Sequence, residues 1–293
     1  MSDVIERAAD IGFDEEALAA LPSTGPFAES IRKQAFQEFL AQPIPSQETE
    51  EWRYTDLSEL EFDFRPFTEG GTAANLDGVP EEILSVAGVV GERAGLQIQR
   101  NSEVMVTHLD PELEAKGVVF CDLDLAIADH PDLVERHLNG LVPTDRNKFT
   151  ALHAAFRTGG TFLYVPRGVE ISAPIQTVTW IDTDGSAVFP RTLLVTEEGA
   201  EVTFIDRYVS PDLGRVLSDA VVEIYAGPNS RVGYVVLQEW GDGVTHLAVQ
   251  RARVARDARL RWLGVALGGS LARAEVESLL AEDGGSSEML GLY

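Results

Sequence analysis

Thr161-Phe-Leu-Tyr-Val-Pro-Arg-Gly-Val-Glu-Ile171, Thr192-Leu-Leu-Val-Thr-Glu-Glu-Gly-Ala-Glu-Val202 and Val222-Glu-Ile-Tyr-Ala-Gly-Pro-Asn-Ser-Arg-Val232 share one pattern: strand, turn, strand. Two weaker copies follow, Gln250-Arg-Ala-Arg-Val-Ala-Arg-Asp-Ala-Arg-Leu260 and Leu279-Leu-Ala-Glu-Asp-Gly-Gly-Ser-Ser-Glu-Met289. The apolar residue after each turn falls at Ile171, Val202, Val232, Leu260 and Met289, at spacings of 31, 30, 28 and 29 residues. A period of roughly 20 to 50 residues, with turns at a fixed offset, argues for stacked β coils. One coil cannot bury its inward residues. Stacked coils share a continuous core of Val, Leu and Ile and pair their backbone groups with the coils above and below. The expected class is therefore mainly β, a parallel β-helix. An antiparallel sandwich is the competing reading, but its strands recur at about 8 to 12 residues without a second, longer period.

The residues before this repeat read differently, as short helices with irregular connections. Pro26 opens an amphipathic helix through Phe27, Ile31, Ala35, Phe36, Phe39 and Leu40, which ends before Pro43. A second helix is expected from Asp129-His130-Pro131 through Leu138, stopped by Gly140, and a third over Asn147 to Phe156. Leu96 to Val106 alternates as strands do, and Phe64 to Gly78 has the Gly, Thr, Pro and Asp content of a loop. The domain reading is a mostly helical region with a few strands over residues 1–158 and a β-helix core over residues 159–293.

Composition bounds the function. The chain has 293 residues, 44% of them apolar, long enough to bury roughly three quarters of its unfolded surface without a disulfide or metal staple. Basic side chains number 23 and acidic ones 48, a net charge of −25, so a nucleic acid or an anionic membrane is a poor partner. Lys33, Lys116 and Lys148 are the three lysines, and the other basic residues are arginines. Cys121 is the single cysteine, which rules out a disulfide framework or a cysteine-built cluster within one chain. Met1 to Asp10 carries Asp3, Glu6 and Asp10 and lacks the basic and apolar regions of an export signal. No apolar run approaches the roughly 20 residues of a membrane span. The expected address is cytoplasmic.

Chemical motifs are mostly missing. The chain has no phosphate-binding Gly-Lys loop, dinucleotide fingerprint, nucleophile elbow or paired-histidine zinc motif. Gly268-Gly269-Ser270 is read as a turn between coils. His130 and His137, seven apart, could share a helix face as metal ligands, but capping and surface exposure account for them as well. Cys121 lies in the apolar run Val118-Val-Phe-Cys-Asp122 and is read as a structural thiol. His153 and His246 are treated in the same way. Asp122 with Asp124, and Asp182 with Asp184, have the spacing of metal or sugar chemistry, yet a turn or helix cap explains each pair. No catalytic or metal-ligating residue is assigned, and no cofactor is expected on this chain alone.

Three stretches carry a family resemblance. Glu50-Glu-Trp-Arg-Tyr-Thr-Asp-Leu57 is similar to a SufD motif. Asn147-Lys-Phe-Thr-Ala-Leu-His-Ala-Ala-Phe156 leads into Gly159-Gly-Thr-Phe-Leu-Tyr-Val-Pro-Arg-Gly-Val-Glu-Ile171, and the likeness continues through Arg191-Thr-Leu-Leu-Val-Thr-Glu-Glu-Gly199. The chain resembles the SufB/SufD family, and its SufD branch in particular. The resemblance implies a helical N-terminal region followed by a right-handed parallel β-helix. It also implies a non-catalytic scaffold that works with a SufB-like paralogue and a SufC-like ATPase, with an iron-sulfur cluster held at the level of the complex. Family members run longer, through further coils and a helical domain that docks the ATPase. Glu288-Met-Leu-Gly-Leu-Tyr293 reads as a strand just after a turn, so the chain is expected to be truncated, with the docking region missing. The cysteine and histidine positions used by the family at the paralogue interface fall in that missing part, and no residue here inherits them. Two other classes stand beside the scaffold: a cytoplasmic β-helix interaction module that self-associates, and a β-helix carbohydrate-active enzyme. The last lacks an aromatic stripe in register.

Overall fold

The computed structural model describes residues 12–58, 60–88 and 92–293. The stretch read above for an export signal, Met1 to Asp10, lies outside them.

Five coils, each of two strands, stack from residue 161 to residue 292. They comprise β4 (Thr161–Val165) with β5 (Ile175–Trp180), β7 (Arg191–Thr196) with β8 (Glu201–Val209), and β9 (Val216–Ala226) with β10 (Arg231–Glu239). The last two are β11 (Val244–Val254) with β12 (Arg259–Ala266), and β13 (Leu271–Leu280) with β14 (Ser286–Leu292). A two-residue strand, β6 (Ala187–Val188), is parted from β7 by Pro190, which has no N–H to give to a ladder. One sheet runs β14-β12-β10-β8-β5 and the other β13-β11-β9-β7-β4, all in parallel register. Strand alternation sends Val202, Phe204, Val222, Ile224, Val232, Tyr234 and Leu260 into one core between the sheets. The sandwich reading fails because the paired strands come from successive coils, not from hairpins.

The repeat is set by a corner. Gly168, Gly199, Asn229, Asp257 and Gly284 all adopt left-handed φ, between 56° and 74°. The first four each donate N–H to a carbonyl in the next coil's turn, on Glu198, Pro228, Arg256 and Asp283, at 2.8–3.1 Å. Three residues past the corner lie Ile171, Val202, Val232 and Leu260, the last three in direct register. In the fifth coil the register partner of Leu260 is Ser287, not Met289, which pairs with Trp262. Aligning that weak copy on its apolar residue displaced it by two. The left-handed corner at Gly284 defines it correctly.

The preceding region mixes helices and strands. Helices α1 (Glu15–Ala20) and α2 (Pro26–Ala41) pack with a later helix, α7 (Lys148–Phe156), against the outer face of the second sheet, where Phe36, Phe39, Phe156, Leu217 and Leu247 share one cluster. Asn147 caps α7 through a reciprocal capping box with Thr150. Helix α3 (Glu81–Ala87) covers the outer face of the first sheet, with Ile83 against Leu96 and Val178. The alternating stretch forms the hairpin β1 (Gly95–Arg100) and β2 (Glu103–Leu109), turned by left-handed Asn101. β1 extends the first sheet in parallel beside β5, and β2 ends it in antiparallel. The loop before α3 runs along β2's outer edge, where Ala73 N–H donates to Met105 O at 2.8 Å and Glu103 accepts from the N–H groups of Gly70 and Gly71. After α4 (Pro111–Ala115), β3 (Val119–Asp122) ends the second sheet, antiparallel to β4.

The expected second helix is different in the structure. Of the expected stretch only the single turn α6 (Pro131–Val134) is helical, and a separate helix, α5 (Leu123–Asp129), which the sequence reading missed, precedes it. Pro131 forces the break, and His130 takes a non-helical conformation between the two. The helix ends at Val134, and the left-handed turn residue that follows is Asn139, at φ 61°, rather than Gly140. Gly140 is required for another reason, since a Cβ there would come within 2.5 Å of the Tyr225 hydroxyl oxygen.

Candidate functional site

A buried polar cluster lies inside the coils. Alternation along β8 points Val202, Phe204, Asp206 and Tyr208 inward, so a carboxylate stands in an apolar core. It is fully engaged. The hydroxyls of Thr177 (2.8 Å) and Thr192 (2.9 Å) donate to it from neighbouring strands, and those of Tyr208 (3.1 Å) and Tyr234 (2.8 Å) complete four bonds. Burial pushes the Asp206 carboxyl up from the usual range, and the four hydroxyl bonds oppose that shift. Both tyrosine hydroxyls are held well above their ordinary value by burial and by the Asp206 charge. Such a cluster orders a core and supplies no free base, because every donor is committed.

One coil further on, Tyr208 stacks on Trp240 with ring centroids 5.5 Å apart, and both lean on His246. The His246 Nδ1 is 3.0 Å from Ser218 Oγ, and burial lowers its pKa to about 4. It is a neutral imidazole at pH 7. Beyond it a cavity of about 390 Å³ is lined by Gln238, His246, Gln250 and Trp262 and by the small residues Gly264 and Ala272. Gln250 Oε1 and Trp262 Nε1 are buried without a hydrogen-bond partner among the described residues.

The residues singled out from sequence are dispersed. Cys121 is only part-buried, in β3, and burial together with Asp122 and Asp129 raises its thiol to about 12. At neutral pH it is protonated, so it is a poor nucleophile and metal ligand. His130 makes no side-chain cap, which corrects the capping explanation given for it. His137 Nδ1 lies 2.7 Å from Leu133 O and its ring meets Tyr225 edge-on. His153 is buried with Nε2 3.1 Å from Pro190 O. Asp122 caps α5, and Asp124 accepts from Arg157 and from Gly159 N–H. Asp182 binds Arg100 and Asn101, while Asp184 accepts Arg215 N–H across a coil turn. Gly268-Gly269-Ser270 is a turn between β12 and β13, with Gly269 at φ 88° and Ser270 N–H donating to Val244 O. Among the described residues no three His, Cys, Asp or Glu side chains gather as a metal site. No described helix is long and apolar enough to cross a membrane.

Sequence reading missed Asp206, although the alternation of Val202, Phe204 and Tyr208 marks residue 206 as inward. Trp52 entered it only as part of the stretch Glu50 to Leu57 that carries the family resemblance, with no contact expected of it. That side chain, in a 3₁₀ turn at Glu50–Trp52, stacks on Phe149 of α7 at 5.4 Å and receives the Arg273 guanidinium at 3.9 Å. Two of the stretches that carried the family resemblance therefore touch.

Comparison with known proteins agrees. The family model described as SufBD protein N-terminal region matches residues 14–177, and that described as SUF system FeS cluster assembly, SufBD core domain, matches residues 179–293. An iron-sulfur cluster assembly SufBD family protein of Staphylococcus saprophyticus is 30% identical over 274 residues, 90% of this chain and 58% of the relative. Similar proteins of Staphylococcus epidermidis and Staphylococcus aureus are each 31% identical over 89% of this chain and 57% of their own length. The chain thus spans somewhat more than half the length of these relatives.

Proposed function

Because this chain belongs to the SufBD family of the SUF iron-sulfur cluster assembly system, we propose that it is a SufD-like scaffold subunit that acts with a SufB-like paralogue and a SufC-like ABC ATPase. The observation that carries the reading is the match of two successive family regions across residues 14–177 and 179–293. The cluster is cargo of the complex and no part of this chain's own machinery. Cys121 fits a scaffold role for the described residues, since a part-buried thiol raised to about 12 is unsuited to accept sulfur or hold iron. The saturated carboxylate at Asp206 supports a non-catalytic role in the same way. ATP hydrolysis belongs to the partner, and the complex works in the cytoplasm. A division near residue 158 belongs to the same reading, with the first region laid along both outer faces of the coils.

The test is co-expression of the tagged chain with SufB and SufC from the same genome, followed by pull-down and iron and sulfide analysis. Recovery of both partners with iron and sulfide is expected. Elution of the chain without either partner would overturn the proposal.

A further inference from the structure

The cavity inside the fourth and fifth coils follows from the inward rows of the strands. One row runs Asp206, Val236, Gly264, Gly291, and its neighbour runs Tyr208, Gln238, Ala266, with one residue per coil. The carboxylate and phenol that fill the second coil are thus replaced, two coils on, by a hydrogen atom and a methyl group. On the other sheet the row after Ser218 and His246 ends at Ala272, and the row of Ala220 and Ala248 ends at Ala274. Sheets roughly 10 Å apart with only Gly and Ala between them leave a slot about one aromatic ring thick. The backbone does not demand the two glycines. Neither has a left-handed φ, and a Cβ on Gly264 would meet nothing nearer than 3.8 Å, one on Gly291 nothing within 4 Å.

The walls are mostly apolar yet hold two idle polar atoms. Gln250, 2% exposed, has Oε1 without a donor, and Trp262, 3% exposed, has Nε1–H without an acceptor, among the described residues. Gln250 stands on β11 and Trp262 on β12, so acceptor and donor reach the space from opposite sheets. A buried polar group left unbonded is costly, which favours an occupant that bonds both. No charged side chain points in. His246 is a neutral imidazole, and Arg273 holds its guanidinium away from the slot, over Trp52. The volume of about 390 Å³ falls within the range of small-molecule sites and is about ten times the share of one water. Waters filling it would lie against Val236, Ala274, Val276 and Met289, with too few polar partners for each. The slot opens beside Met289, which is 44% exposed.

We propose that this slot binds a neutral, flat heteroaromatic molecule of about two rings, which donates a hydrogen bond to Gln250 Oε1 and accepts one from Trp262 Nε1–H. The ring faces pack between the Gly and Ala rows, and the Trp262 indole and His246 imidazole give them aromatic neighbours. Charged ligands are disfavoured, because the slot offers them no counter-charge.

Carbostyril, a neutral two-ring lactam with one N–H donor and one carbonyl acceptor, is the probe, titrated calorimetrically into the full chain. Saturable binding at one site, with Kd on the order of 10 μM, is expected. Gly264→Leu fills the slot and should abolish binding while melting no lower than the unaltered chain. Gln250→Leu should weaken the lactam about tenfold and leave naphthalene, which has the same two rings and neither polar group, unweakened. Absence of saturable binding, lactam binding that survives in Gly264→Leu, or a Gln250→Leu variant that holds the lactam as tightly as the unaltered chain would each overturn the proposal. So would loss of folding in Gly264→Leu, since the slot would then have no room for a ligand.

Discussion

The Arg191 guanidinium closes on the Glu223 carboxylate with both side chains withdrawn from solvent. Glu223 also accepts from the N–H groups of Asn139, Leu141 and Val142, at 2.9, 2.6 and 2.8 Å, so it binds the loop after α6 onto β9. Glu223→Ala strands a buried cation and orphans three donors. A loss of about 3–5 kcal/mol is expected, read as a lower urea midpoint at unchanged slope. A loss below about 1 kcal/mol would mean that the loop is held by other contacts.

The inward row through Val202, Val232 and Leu260 is the spine of the coils. Val232→Asp places an unpaired carboxylate there, at a cost of several kcal/mol, or roughly half of an ordinary domain's stability. Loss of soluble, cooperatively unfolding protein is the expected outcome by circular dichroism. A stable Val232→Asp variant would show that this row is not core.

Neutral, buried His246 makes stability depend on acid. Its folded pKa of about 4 lies below the ordinary 6.5, so as pH falls below 6.5 the unfolded chain takes up a proton that the folded one refuses. Stability is full above pH 6.5 and declines by about 1.4 kcal/mol per unit toward pH 4, close to 3 kcal/mol in all. Urea titrations at pH 7 and pH 5 should show a smaller difference in His246→Gln than in the unaltered chain. Parallel pH profiles would place His246 in contact with water.

Asp219 gives the opposite slope. It faces out of β9 between Leu217 and Val221, buried, with Oδ2 lacking a hydrogen bond among the described residues. Burial raises its pKa well above 3.8, so above that pH the unfolded chain sheds a proton that the folded one keeps. Asp219→Asn should match the unaltered chain near pH 4 and exceed it at higher pH, the gap opening by about 1.4 kcal/mol per unit. A constant gap from pH 4 to pH 7 would show that the carboxyl finds a partner.

With its thiol raised to about 12, Cys121 should react with iodoacetamide at pH 7.5 far more slowly than the same chain in urea. Cys121→Ala should leave iron and sulfide recovery in the co-expressed complex unchanged. Complete loss of assembly in that variant would assign the thiol a working role.

The coils were legible in the sequence because their corner is chemically marked. Gly168, Gly199 and Gly284 tolerate left-handed φ without a Cβ, and Asn229 and Asp257 are among the few other residue types that do so. The inward apolar residue three places on then follows from alternation. The fifth register was misread because Ser287 occupies that place, and an apolar criterion slides past it to Met289. The cap reading of Asp122 marked the start of helix α5, but no helix was drawn from it because Leu123–Asp129 is only seven residues long. The charge clusters escaped entirely. Arg32, Arg157 and Arg191 are brought together by packing between α2, α7 and β7, and no periodicity along the chain records a meeting of three separate elements.

The antiparallel strands β2 and β3 give the molecule a polarity that the repeat alone lacks. Every coil is in principle a template for the next, yet at this pole both templates are cancelled, one by a hairpin with the loop at Gly70–Ala73 laid along its edge. A filament needs two complementary ends, and this end matches no coil. Coil-on-coil pairing cannot extend the stack from this pole, so the fold carries its own stop against growth in that direction.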